Sequence, residues 1–185
     1  MEQIIKNNKN NITNNNFREI SPLVDLYSIK YFGGIKNCLE YGKYLLDIIP
    51  REEFSKISSN EGLVNLFKKL DFMFLSPRTF KKIKNEIELY GYKKIKSAIA
   101  TVVLFDSIKN LDVEGVKFAI ECGAILEAKK HNSTIFAALS KAVYFNLYNP
   151  HYTLVQQYKS TSSTLYKVIE ERVEEIKKLL QNKTF

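Results

Sequence analysis

The chain of 185 residues contains no tryptophan, and glycine (7), proline (4) and cysteine (2) are scarce. So few backbone breakers, with many Leu, Ile, Lys and Glu, favour helices over a turn-rich β-sandwich, whose short strands need Gly- or Pro-bearing turns between them. No run of about 18 apolar residues occurs, so no membrane-spanning helix is expected. The opening residues, Met1-Glu2-Gln3-Ile4-Ile5-Lys6-Asn7, lack the apolar stretch of a secretory signal. The expected location is the cytoplasm, or a host cytosol reached without a classical signal peptide. Cys38 and Cys122 lie far apart in apolar periodic segments. They are expected to be free buried thiols, in keeping with a reducing compartment. His131 and His151 have no partner at metal-ligand spacing, and neither cysteine belongs to a C-x-x-C pair. No metal site is expected. A glycine-rich phosphate loop, a G-x-S-x-G elbow and an H-E-x-x-H helix are all missing. The adjacent carboxylates Glu52/Glu53 and Glu170/Glu171 point to different sides of a helix. With no catalytic residue and no cofactor to assign, the chain is expected not to be an enzyme.

What is present describes an ordinary globular protein. Hydrophobic residues make up 45% and charged residues 26%, with 11 Tyr and 12 Phe. A chain of this length hides about 70% of its unfolded surface, enough for a core without disulfides or metal. The net charge is +8, and it is unevenly placed. Between residues 78 and 96 stand seven cations (Arg78, Lys81, Lys82, Lys84, Lys93, Lys94 and Lys96) against two acids (Glu86 and Glu88), a local balance of +5. Segments 21–77 and 101–150 each balance to zero. Such a patch suits an acidic partner such as nucleic acid, an anionic membrane surface or an acidic protein face, or it is a solvated helical face. Lysine outnumbers arginine 24 to 4, so fork-shaped readers of bases and phosphates are few and sequence-specific DNA recognition is not expected.

Along the chain, residues 1–16 form a polar, Asn-rich tail with too little apolar content to pack, and disorder is expected there. Ser21-Pro22 predicts a helix start, and Gly33-Gly34 its end. A second helix runs from Ile35 to Ile49 and stops at Pro50, with Gly42 an unfavourable residue inside it. Ser59 or Asn60 caps a helix bearing Leu63, Phe67, Leu70 and Phe74 at helical period. Ser76-Pro77 repeats the cap-and-proline device ahead of Phe80, Ile83, Ile87 and Tyr90, and Gly91 ends that element. Ile95, Ala98, Ile99, Val102 and Phe105 mark a further helix, ending near Asn110. The expected fold class is all-α.

Asp112 is the expected N-cap of a short helix from Val113 to Cys122, closed by Gly123-Ala124. The chain continues Gly123-Ala-Ile-Leu-Glu-Ala-Lys-Lys-His-Asn-Ser-Thr134-Ile-Phe-Ala-Ala-Leu139. This stretch resembles an ankyrin repeat: second helix, Gly-Ala exit, finger, then a threonine that opens the next first helix. Leu126 takes the valine place of the family's Gly-Ala-Asp-Val-Asn-Ala finger and Ala128 its last alanine. Thr134 and Phe136 take the threonine and leucine places of Thr-Pro-Leu-His, while Ile135 stands for the proline and Ala137 for the histidine. A self-comparison adds to this. Val113-Glu-Gly-Val116-Lys-Phe-Ala-Ile120 aligns with Val173-Glu-Glu-Ile176-Lys-Lys-Leu-Leu180 at an offset of 60 residues. Repeats of about 33 residues then require an insertion of about 27. Residues 147–163, rich in Tyr, Ser and Thr, together with lengthened helices, would accommodate it. The closing helix, Thr164 to Gln181, places Glu174 four residues before Lys178 and should cap the array with a polar outer face.

The resemblance implies a helical-repeat, ankyrin-like solenoid over residues 93–185, with residues 17–92 either further repeats or a separate N-terminal helical bundle portion. It further implies a protein-interaction module, and by family analogy a microbial or viral factor binding a host or competitor protein. Contacts would use the finger tip (Lys129, Lys130, His131 and Asn132) and exposed first-helix positions such as Ser140 and Lys141. The reading from another class is a nucleic-acid-associated protein that uses the basic patch at 78–96.

Overall fold

In a computed structural model, residues 34–70, 75–129, 133–148 and 162–182 are described. They form eight α-helices with no strand among them. The helices are α1 (Lys36–Ile48), α2 (Arg51–Ser55), α3 (Asn60–Lys68), α4 (Pro77–Tyr90), α5 (Tyr92–Lys109), α6 (Val113–Glu121), α7 (Ile135–Tyr148) and α8 (Ser162–Gln181). The Asn-rich tail, the helix expected over 21–33, Phe74 and most of the 147–163 segment lie outside the described residues.

Helix α5 organises the rest. It packs against α1, α4, α6 and α7, and its buried residues, among them Ile95, Ala100, Leu104 and Ile108, point in every direction. A helix apolar on all sides belongs at the centre of a core, which is why β-branched residues are tolerated in the run from Ala98 to Phe105. The surrounding helices each bury one stripe. Leu63, Leu66 and Phe67 face inward from α3, Ile83 and Ile87 from α4, and Leu165, Ile169, Ile176 and Leu180 from α8. The core is one cluster from Ile35 to Leu180, continuous across the 92/93 boundary where the sequence changes character. At Gly42, the unfavourable glycine of α1, a Cβ would stand 2.7 Å from Ile99 Cδ1. The glycine lets α1 and α5 touch.

Helix ends are sealed by neighbouring helices as well as by local caps. Ser59 Oγ accepts the Gly62 N–H (3.0 Å) and Ser76 Oγ accepts the Thr79 N–H (3.2 Å), both ordinary N-caps. Asn60, the other candidate cap of α3, serves α5 instead: its Oδ1 accepts the Tyr92 N–H at 2.8 Å. Helix α1 has no side-chain cap of its own. The Glu86 carboxylate, projecting from α4, accepts the backbone N–H groups of Asn37 (3.1 Å) and Cys38 (2.8 Å) and the Asn37 side-chain amide. At the other end of α5, Asn146 Nδ2 donates to the Lys109 carbonyl (3.0 Å), and Arg172 Nη1 donates to the Leu111 carbonyl (3.2 Å).

The segment 112–135 follows the expected order of devices. Asp112 Oδ1 accepts the Gly115 N–H at 3.0 Å and opens α6. The helix closes with Gly123 at φ +83, its N–H bonded to the Ile120 carbonyl and the Ala124 N–H to the Ala119 carbonyl, each at 3.0 Å. That is a Schellman cap. Ser97 Oγ donates to the Gly123 carbonyl, and Thr101 Oγ1 accepts the Ile125 N–H (2.9 Å), so α5 holds the exit loop. Thr134 Oγ1 then accepts the Ala137 N–H at 3.2 Å and opens α7. Within α8, Glu174 pairs with Lys177 (2.6 Å), three residues on; that bond, with Lys178 adding field, holds the Glu174 carboxyl below its ordinary value.

Two substitutions test this segment. Gly123→Val meets no atom within 4 Å but must adopt left-handed backbone, so it is expected to destabilise by about 1–2 kcal/mol or more. Gly115→Ala would be neutral or stabilising in an open helix, where alanine is about 1 kcal/mol better. Here the added Cβ runs into the Asp112 carboxylate and the Ser107 hydroxyl at the end of α5. Asp112 cannot retreat without releasing the cap, and a lost cap costs about 1 kcal/mol. Crowding of the new methyl adds to that, so Gly115→Ala is also expected to destabilise, with urea unfolding as the readout.

Candidate interaction surfaces

Helix α7 divides into two faces. Ile135, Leu139, Ala142 and Asn146, at steps of four, three and four, are buried. Phe136, Ser140, Tyr144 and Tyr148, each four residues apart, lie on the opposite face with Lys141 and Phe145, and all six are exposed. The four rings are between 42% and 64% exposed. The resemblance sets Phe136 in the leucine place of the repeat, yet it points to solvent, and Ile135 one residue earlier turns inward. Tyr144 packs on Tyr148 (ring centroids 5.0 Å) and edge-on to Phe145 (5.9 Å). A hydrogen bond to Tyr166 of α8, with that neighbour's charge and slight burial, raises the Tyr148 hydroxyl above its ordinary pKa. Tyr166 is itself 52% exposed and extends the aromatic surface onto α8, whose outer face is otherwise charged.

The partner-binding residues inferred from the resemblance divide accordingly. Ser140 and Lys141 sit on this aromatic face; Ser140 Oγ donates to the Phe136 carbonyl (3.1 Å), and Lys141 Nζ reaches Ser133 Oγ (2.7 Å) at the end of the finger. Lys129 is half-buried. Lys130, His131 and Asn132 lie outside the described residues. The aromatic surface was not assembled from the sequence, although its signal is there: Phe136, Tyr144 and Tyr148 repeat at intervals of four, out of phase with Ile135 and Leu139.

The basic segment is less uniform than its sequence. Lys96 donates to the carbonyls of Ser55 and Ile57 (3.1 Å to the latter) and so seals the end of α2. Lys94 lies over the Tyr90 ring at 4.9 Å, and Lys84 pairs with Glu88 at 3.8 Å. Arg78, Lys81, Lys82 and Lys93 are exposed and have no anionic partner among the described residues. Both cysteines are buried free thiols. Burial, and for Cys38 also the Glu86 carboxylate, pushes them above the ordinary thiol value.

Comparison with family models, with curated proteins and with solved structures finds no match. The site therefore rests on geometry alone. Among the described residues no cluster of His, Cys, Asp and Glu is arranged to hold a metal ion, and no helix is long and apolar enough to cross a membrane. A groove of about 230 Å³ between α2 and α6 is lined by charges of both signs, including Arg51, Glu52, Glu114, Lys117 and Glu121. Arg51 is engaged there, paired with Asp112 at 3.4 Å and lying over the Phe118 ring at 5.4 Å.

Proposed function

We propose that the chain is a protein-interaction module of ankyrin-like helical-repeat build, and that the outer face of α7 is its docking surface. The observation that carries the reading is the group of exposed rings on α7, with Phe145 and Tyr148 packed around Tyr144, Tyr166 of α8 adjoining Tyr148, and Phe136 two turns earlier on the helix. Contiguous exposed apolar surface with a polar rim marks interaction sites, and tyrosine and phenylalanine are enriched where partners bury them. Stiff rings lose little side-chain entropy on docking, while tyrosine hydroxyls and the Lys141 ammonium supply directional contacts. The partner is accordingly a protein that presents an apolar ridge with hydrogen-bonding or acidic groups beside it.

Two features support the repeat build. The Asp112 cap, the left-handed Gly123 and the Thr134 cap follow one another in the family's order. Val113 and Val173 are both half-buried, and Val116 and Ile176 are both buried, on helices α6 and α8 that pack together.

Capture from the native cellular context tests the docking reading. The full chain and a Tyr144→Ser/Tyr148→Ser variant are used as baits, with and without nuclease. Proteins held by the wild type after nuclease and lost by the variant are expected. Complete loss on nuclease, or identical capture by both baits, contradicts the reading. Both altered side chains are exposed, so the variant should stay folded, losing at most the Tyr148–Tyr166 hydrogen bond and the exposed ring contacts.

A further inference from the structure

The basic stretch carries a second surface, independent of the α7 face. Counted along the chain it holds +5, with two acids in partial opposition. The fold changes that balance. Glu86 is turned inward and its carboxylate is engaged by the start of α1, while Glu88 is paired with Lys84. Neither acid lies opposite Arg78, Lys81, Lys82 or Lys93. Arg78, Lys82 and Leu89 fall on one line of the helix at i, i+4 and i+11, Lys81 stands beside that line, and Lys93 follows within a turn of the Gly91 break. The apolar stripe of α4, with Ile83 and Ile87, faces the core and leaves the cations outward.

We infer that this outer face of α4 and the start of α5 binds the phosphate backbone of duplex nucleic acid without regard to sequence. The cations are mostly lysines, point charges suited to diffuse phosphates and unsuited to bidentate base reading. A helix lying on a membrane needs a continuous apolar strip toward the acyl chains. On this face Leu89 (74% exposed) is the one exposed large apolar residue among the described residues. Stacking of single-stranded bases needs open rings, and Tyr90 is half-buried with the Lys94 ammonium over it. Among the described residues the surface offers positive charge with neither a membrane wedge nor a stacking platform.

The test is fluorescence anisotropy of a short labelled DNA duplex of arbitrary sequence with the full-length chain, over a range of salt concentrations. Four cations meeting phosphates predict a slope of log affinity against log salt of about −3 to −4. Lys81→Glu/Lys82→Glu is expected to weaken binding at least tenfold, and the neutral Lys81→Gln/Lys82→Gln to weaken it less while lowering the slope by about 2. Lys56→Glu/Lys167→Glu makes the same change in net charge elsewhere, just after α2 and on α8, and should bind within twofold of the wild type. No measurable duplex binding overturns the inference. So does equal loss in the two charge-reversed doubles, or flotation with phosphatidylserine vesicles by a chain that ignores the duplex.

Discussion

Glu86→Ala is expected to lower the free energy of unfolding by about 3 kcal/mol. The substitution removes the acceptor for the backbone N–H groups of Asn37 and Cys38 at the start of α1 and for the Asn37 amide. Cys38 is fully buried, so water cannot replace the lost partner without opening the junction of α1 and α4. Leaving a buried donor unsatisfied costs about 1–3 kcal/mol, and two backbone donors are involved. Glu86→Gln keeps one carbonyl oxygen and should lose about half as much. Glu88→Ala is the control: both members of its pair with Lys84 are exposed, and such pairs contribute less than about 1 kcal/mol. Urea unfolding midpoints of the three variants provide the check. Equal loss for Glu86→Ala and Glu88→Ala would contradict the account.

Gly42→Val is expected to destabilise by about 3 kcal/mol, at the upper end for overpacking. In an exposed helix, replacing glycine gains helix propensity. At this position the new Cβ alone would stand 2.7 Å from two carbons of Ile99, whose side chain is fixed in the middle of the core. The two γ-methyls of valine add further overlap, and α1 can relieve it only by lifting from α5. The milder Gly42→Ala should cost less in an Ile99→Ala background, where both of those Ile99 carbons are gone. A cycle of the two single variants and the double measures that coupling, expected to be at least about 1 kcal/mol.

These two positions show where the sequence is informative and where it stops. Caps that act within four residues were legible: Ser76 before Pro77, Asp112 before Val113, and glycine at position 123 each mark a boundary that the structure has. Helix α3 itself ends at Lys68, short of Leu70, but its apolar stripe as far as Phe67 and that of α4 were legible for the same reason, since helical period is a local property. Contacts between distant segments were not. Glu86 reads as one of two acids in a basic run, because the N–H groups it caps lie 48 and 49 residues away. Lys96 reads as part of a cationic patch for the same reason, though its ammonium seals α2. Gly42 reads as a weakness in a helix until Ile99 is placed against it. The aromatic face of α7 was legible in spacing but hidden by the family resemblance, which sets Phe136 in a leucine place and draws attention to the finger tip instead.

The α7 face can be probed directly by placing a photo-crosslinking phenylalanine analogue at position 144 and, as control, at position 170 on the charged outer face of α8, then irradiating native cells. The account predicts a discrete crosslinked protein from position 144 that is absent from position 170 and unaffected by nuclease. Identical labelling from both positions, or none from position 144 with the chain folded and expressed, would contradict it.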